Sequence, residues 1–445
     1  DADCFNSART NTGFEATEYS KKYDAVIGRT PSSYVMASPR LGFRWFVTED
    51  HSTLLRGGVG IFNGRAPFVW LENAWANTGL EKKGTTLKGS STPSLDKYGK
   101  TSPADIIKAC AATGGTASLP DINTVDKHFK FPQVFRANLA LEQELPFGVK
   151  AILEALYSKD MNNIWYENYA LKNSGAKAYA VGGVENSSTT YYTSDPGSYS
   201  SIINLTNTNC GYSYSFSAKL EKKFDFGLDV MASYTFGHSY SANDGTSSVA
   251  LSNWKYLYCV DPNEVKVEKS MFDMPHRVLV TVSYNSPKYL NGLMQTHVGL
   301  SYNGNSGQRY SLTMADKSYD SFNGDSGQGN TLLYIPTADE LSHMNFVDIT
   351  NSKKVVTMSA DDQRDAFENW IENDKYAKDH RGQYAERNSN CAPWENRIDF
   401  HLSQDFFYLK TRGSKVELTF DVYNVANMIN KNWGKIYASA YNQTV

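Results

Sequence analysis

The spacing of strand-like runs constrains this chain most. Residues 416–424 read V-E-L-T-F-D-V-Y-N. Val416, Leu418, Phe420 and Val422 fall on one side, and Glu417, Thr419, Asp421 and Tyr423 on the other. A period of two marks a strand with one apolar and one polar face. Comparable runs predict strands over 40–48, 53–62, 131–144, 149–159, 211–223, 227–238, 276–285, 293–304, 395–407, 415–424 and 433–441. The links between them alternate in length. Those at 49–52, 145–148, 224–226, 286–292 and near 408–414 are turn-sized, whereas those at about 63–130, 160–210, 239–275 and 305–394 are long. A soluble sandwich has no reason to keep every second connection long. A transmembrane antiparallel β-barrel does, because one rim carries tight periplasmic turns and the other long extracellular loops. The expected fold is therefore all-β, with residues 1–445 forming part of one barrel.

The faces agree along the chain. Phe135, Ala137, Leu139 and Leu141 alternate with Arg136, Asn138, Ala140 and Glu142. Ile398, Phe400 and Leu402 alternate with Asp399, His401 and Ser403. Charges on the second face are costly in lipid and cheap in a watery lumen. Bulk composition fits. Mean hydropathy is −0.49, and no apolar run approaches the roughly 20 residues a membrane helix needs. Barrel strands are half polar, so the low value does not count against them. Aromatic residues make up 13%, with 29 Tyr and 22 Phe, which suits interfacial girdles. Lys plus Arg is 44 against 47 Asp plus Glu. That balance points to no nucleic-acid partner.

Five cysteines, Cys4, Cys110, Cys210, Cys259 and Cys391, form no CxxC pair. All but Cys4 fall in or beside the long links, where an oxidising exterior would favour one or two disulfides. Residues 360–379 read as an amphipathic helix with Phe367, Trp370 and Ile371 as its apolar stripe, suited to packing the last long link onto its neighbours.

Several runs resemble the barrel of TonB-dependent outer-membrane receptors, most closely the Oar-like group common in Bacteroidetes. They are S-P-R-L-G-F (38–43), L-R-G-G-V-G-I-F-N-G-R-A-P-F-V-W (55–70), M-P-H-R-V (274–278), G-Q-R-Y-S (307–311), N-G-D-S-G-Q-G-N-T-L-L-Y-I-P (323–336), R-G-Q-Y-A-E-R-N (381–388) and L-T-F-D-V-Y-N-V-A-N-M-I-N-K-N-W-G (418–434). The resemblance implies a 22-stranded barrel in outer-membrane lipid, closed by a plug. It implies energised import through TonB with ExbB and ExbD, and a surface lipoprotein as a further partner. No plug, TonB box or N-terminal carboxypeptidase-regulatory-like domain is recognisable, and 441–445 do not resemble an aromatic-terminated last strand. The expectation is the C-terminal half or more of such a transporter, binding a peptide, protein or glycan at its loops. The rival expectations are an adhesin or secretion-associated barrel that moves nothing, and a passive porin.

Candidate ligand contacts lie in the long links. Arg65, Trp70, Asn73, Trp75 and Asn77 combine a cation, flat aromatic area and amides, which suits sugars or peptides. The alternative is packing against the barrel mouth or, for Arg65, pairing with a plug. Arg309 and Tyr310 are candidates of the same kind. Trp254, Tyr256 and Tyr258 alternate as a short strand would. Arg387, Trp394 and Arg397 read as loop anchors. Asn323, Asp325, Gln328 and Asn330 would offer oxygens to Ca2+, the alternative being a glycine-rich turn. No other cofactor is expected. No H-E-x-x-H or G-x-S-x-G appears, and 99–101 lacks the first glycine of a phosphate loop, Ser94 standing there. His238, His276 and His297 have no carboxylate neighbour in sequence, so an enzyme is not expected.

Overall fold

The computed structural model describes residues 11–79, 119–179, 184–314, 323–325, 329–409 and 414–437, with the backbone of 85–86 and 116–117. Ten strands form one antiparallel wall in chain order. They are β1 (Arg40–Phe46), β2 (Thr53–Asn63), β3 (Gln133–Leu145), β4 (Val149–Asn168), β5 (Gly211–Lys223), β6 (Leu228–Ser241), β7 (His276–Asn285), β8 (Met294–Asn305), β9 (Glu395–Leu409) and β10 (Ser414–Val422). Each neighbour pair is a meander step, so every second connection returns at the same rim. The first ten expected strands are all present. β1 and β10 do not pair with each other among the described residues, and both are solvent-open along nearly their whole length.

Register sets the two faces. Phe216 stands opposite Phe236, Val282 opposite Leu300, Leu300 opposite Phe400, and Leu402 opposite Phe420. These side chains face outward: Leu41 is 74% exposed, Leu418 67%, Phe216 55% and Leu300 47%. A contiguous apolar surface of this kind is rare on a soluble monomer. At the rim of the long links it turns aromatic. Tyr212 stacks on Tyr240, Tyr214 meets Phe236 and His238, and Tyr234 stacks on His276. The opposite face carries ion pairs. Arg56 and Lys150 both hold Glu142 at 2.7 Å, and Lys415 and His297 both reach Asp405, at 2.9 and 3.3 Å.

The short turns are specified locally. In the turn after β5, Gly227 has φ +97°, and a Cβ there would lie 2.1 Å from the Asn285 carbonyl oxygen. Only glycine fits that position. Between β1 and β2, Ser52 donates its backbone N–H to Asp50, whose carboxyl falls to about 2 as a result.

The long connections depart from the sequence reading. They build a folded cap. β4 runs on to Asn168, well past the expected end at residue 159, and pairs above the rim with the strand Ser201–Thr208. That strand in turn pairs in parallel with Asp121–Val125. Both faces of this extension are covered. Ile203, Leu205, Ile164 and Tyr166 pack on one side with Leu71, Trp75 and Trp254. Ile122 and Ile202 pack on the other with Phe14, Tyr19 and Tyr199. A strand buried on both faces loses its alternation, which is why S-I-I-N-L-T-N-T gave no signal. A third core gathers Leu312, Ile335, Ile371, Ala377 and Ala385. Its helix, Ala360–Asn373, opens with a capping box between Ser359 and Asp362 and places Phe367, Trp370 and Ile371 on that core. The stripe packs the connection onto its neighbours, as its spacing indicates.

Two expected strands are not seen among the described residues. Tyr256 and Tyr258 follow the helix Ala250–Lys255, which buries Trp254; a six-residue helix is too short to show its period. Of 433–441, the described part, 433–437, is turn and coil. The Asn427 amide donates to the carbonyls of Lys431 and Trp433 and folds the chain back, so no strand follows β10 within the described residues.

Candidate functional site

The residues chosen from sequence at 65–77 sit on and just before a helix, Phe68–Ala76, not on an irregular loop. Trp75 is 8% exposed and lies in the first cap core. Asn73 is buried, donates its amide to the Val69 and Ser248 carbonyls and accepts from the Ala250 N–H, which ties this helix to Ala250–Lys255. Asn77 is buried where the helix ends, and its carbonyl accepts the Asn123 N–H of the neighbouring strand. Trp70 donates its indole N–H to the Ser247 carbonyl at 2.8 Å and is only partly buried. Arg65 is exposed and makes no ion pair among the described residues.

Arg65 and Trp70 line a cleft of about 320 Å³ together with Ser158, Ser213, Ser239 and Asp244. It sits where the charged face of the wall meets the cap. A second cleft, of about 530 Å³, is lined by Arg309, Tyr310, Arg387, Tyr256, Asn243 and Asp244, among others. The two clefts share Asn243 and Asp244. Residues far apart in sequence, Arg65 and Trp70 in the first long connection and Arg309 and Tyr310 in the last, are thus brought to adjoining hollows.

Arg309 is not free. Its Nε and Nη2 donate to Asp273 Oδ2 at 2.9 and 2.6 Å, and both side chains are almost fully buried. Asp273 also accepts the Ser239 N–H at 2.7 Å and faces His238 Nδ1 at 3.1 Å. This cluster fastens the last cap connection to the top of β6. Sequence reading missed it: His238 does have a carboxylate partner, Asp273, and His297 has Asp405. Both partners are distant along the chain, so no local motif could reveal them. His276 instead meets the Tyr234 hydroxyl at 2.8 Å. Arg387 donates to the Ala242 and Ser241 carbonyls, Trp394 to Asn396, and Arg397 pairs with Asp399.

In the glycine-rich run, Asn323 donates its amide to Asp325 at 3.0 Å and to Thr331, while Asn330 donates to the Lys255 carbonyl. Gln328 lies outside the described residues. Among the described residues no group of three or more His, Cys, Asp or Glu converges as a metal site would. Cys210, Cys259 and Cys391 carry free thiols, while Cys4 and Cys110 lie outside the described residues.

The sequence profile of a family described as outer membrane beta barrel domain matches residues 6–436, nearly the whole chain. The chain belongs to that family. Its wall therefore stands in the bacterial outer membrane, with the apolar face toward lipid. No curated protein matches. Solved structures similar to it include the siderophore receptor PirA from Acinetobacter baumannii, at 10% identity and a TM-score of 0.36, covering 86% of this chain and 36% of that one. A mutant of the ferric enterobactin receptor PfeA from Pseudomonas aeruginosa follows at 11% and 0.34, covering 87% and 37%. The outer membrane transporter YddB from Escherichia coli stands at 9% and 0.32, covering 87% and 39%. The chain thus spans under two-fifths of the length of each.

The lipid-facing assignment has a direct consequence. Leu300 lies mid-strand in β8 between Val282 and Phe400. Leu300→Arg should destabilise the folded barrel by about 2–4 kcal/mol, the cost of arginine near the bilayer midplane. Ser301→Arg, one position on and facing the lumen, should cost much less. Equal losses in urea-unfolding titrations from bilayers would contradict the assignment.

The cap should be sensitive to alkali. Burial pushes the phenols of Tyr192 and Tyr384 up to about 12 from 10.0, and pushes Tyr334 and Tyr169 upward as well. Below pH 10 each phenol is neutral in both states and contributes no pH dependence. Between pH 10 and 12 the unfolded chain ionises while the folded cap does not, so the cap loses stability across that window. Near-ultraviolet circular dichroism should fall there before the far-ultraviolet β signal does. Coincident loss of both signals would show that cap and wall unfold as one unit.

Proposed function

We propose that this chain is part of the barrel of a TonB-dependent outer-membrane receptor that takes up a ligand through the hollows under its cap. The observation that carries this is the meeting of Arg65 and Trp70 with Arg309 and Tyr310 at two adjoining clefts, open between the cap and the charged face of the wall. A rigid wall positions such a site, and the connections supply its specificity. The resemblance of the runs at 38–43, 55–70 and 418–434 to TonB-dependent receptors supports energised transport, with TonB, ExbB and ExbD acting through a plug. A surface lipoprotein and the Oar-like grouping belong to the same reading. For Asn323 and Asp325 we favour packing over a Ca2+ site, because Asn323 directs its amide donor at Asp325. The role is that of a receptor and not of an enzyme.

The test is accumulation of a fluorescently labelled library of peptides and oligosaccharides by cells making the full-length protein. Uptake that stops when the proton-motive force is dissipated supports the reading. Uptake indifferent to that treatment means a passive porin. Surface retention without uptake means an adhesin.

A further inference from the structure

We propose that the larger cleft binds a short peptide with free termini, its carboxylate on Arg387 and its ammonium group on Asp244. The proposal rests on the receptor reading above and names the ligand class. Two opposite charges line this one cleft, and neither has an ionic partner among the described residues. Arg387 is 3% exposed. Its two terminal nitrogens donate to the carbonyls of Ala242 and Ser241, which carry no formal charge, and its Nε–H has no acceptor among the described residues. A buried guanidinium left in that state is costly unless an anion completes it. Arg309, the other cation lining the cleft, is already neutralised by Asp273.

Asp244 is the counterpart. Its Oδ1 accepts from the hydroxyls of Ser241 and Ser270, each at 2.6 Å, and its Oδ2 from the Met271 N–H at 2.9 Å. All three donors are uncharged. An ionised carboxylate has about four lone-pair sites, so one remains. The same lining is rich in amides, with Asn243, Asn253, Gln308 and Asn388. Amide side chains both donate and accept, as a peptide backbone requires. The volume, about 530 Å³, falls inside the span of roughly 300–1,000 Å³ usual for small-ligand sites. An acidic sugar would satisfy Arg387 and leave Asp244 unmatched. A molecule with both charges matches the two ends.

The decisive experiment is calorimetric titration of the full-length protein, purified from outer membranes, with tri-alanine in four forms: free, N-acetylated, C-amidated and doubly blocked. The free form should bind tightest, and each block should weaken binding by about tenfold or more, as loss of a charge-assisted contact does. Arg387→Gln should erase the difference between free and amidated peptide only, and Asp244→Asn that between free and acetylated peptide only. Equal binding of all four forms overturns the charge pairing while leaving a ligand site in place. Binding of none overturns the peptide assignment, and the accumulation assay then judges the receptor reading separately. A variant that fails to fold does not obscure the answer, because the four-peptide comparison uses the unaltered protein.

Discussion

Asp273→Ala should unfasten the last cap connection from the wall and destabilise the cap by about 3–5 kcal/mol, the usual cost of removing one partner of a buried ion pair. The carboxylate has three dependants: the Arg309 guanidinium, the Ser239 N–H and His238. Its side chain is fully buried and that of Arg309 is 7% exposed, so water cannot replace what is lost. The cost comes mainly from stranding Arg309. Replacing both residues, Asp273→Leu with Arg309→Met, should therefore recover more than half of the lost stability. Limited proteolysis of the cap in detergent, followed by thermal melting of its near-ultraviolet signal, measures both effects. A single substitution costing under about 1 kcal/mol would mean the cluster is solvated, and that it does not hold the cap.

The wall was legible in the sequence and the cap was not, for physical reasons. β10 keeps Val416, Leu418 and Phe420 on the lipid side and Lys415, Glu417 and Thr419 on the lumen side, so each face has its own polarity and the period of two is plain in the sequence. Above the membrane that link breaks. Ile202 and Ile203 are adjacent in sequence and both fully buried, because the strand is covered from two sides. The run F-V-W-L-E-N-A-W-A is apolar nearly all round and reads as neither period, yet it is helical. Of the strand expected at 433–441, the described part, 433–437, did not form, because alternation of a few residues cannot show whether a neighbour exists to pair with. The candidate site was legible in part. Arg65, Trp70, Arg309 and Tyr310 were chosen for their chemistry, and all four line clefts. That the clefts adjoin, that Asp273 takes Arg309, and that Arg387 keeps an unpartnered N–H depend on contacts between distant connections. No local pattern encodes those.

The same contrast divides the first group of candidates into packing and surface residues, and Trp75→Ala separates them. Trp75 shares its core with Leu71 and Phe129 and with Val125, Ile203 and Leu205 of the upper sheet. Removing a buried tryptophan side chain should cost about 3–5 kcal/mol, through lost burial and the cavity left behind. That loss should appear as early cap melting, with any fall in ligand uptake following the unfolded fraction. Arg65→Ala, by contrast, removes an exposed side chain with no ionic partner among the described residues, and should leave stability within about 0.5 kcal/mol. Any loss of uptake in that variant would come from the cleft itself. If Trp75→Ala melts like the unaltered protein yet binds nothing, the tryptophan contacts the ligand directly and the helix Phe68–Ala76 opens in solution. If Arg65→Ala instead melts early, the guanidinium is a strut between cap and wall, and the smaller cleft loses its claim as a ligand surface.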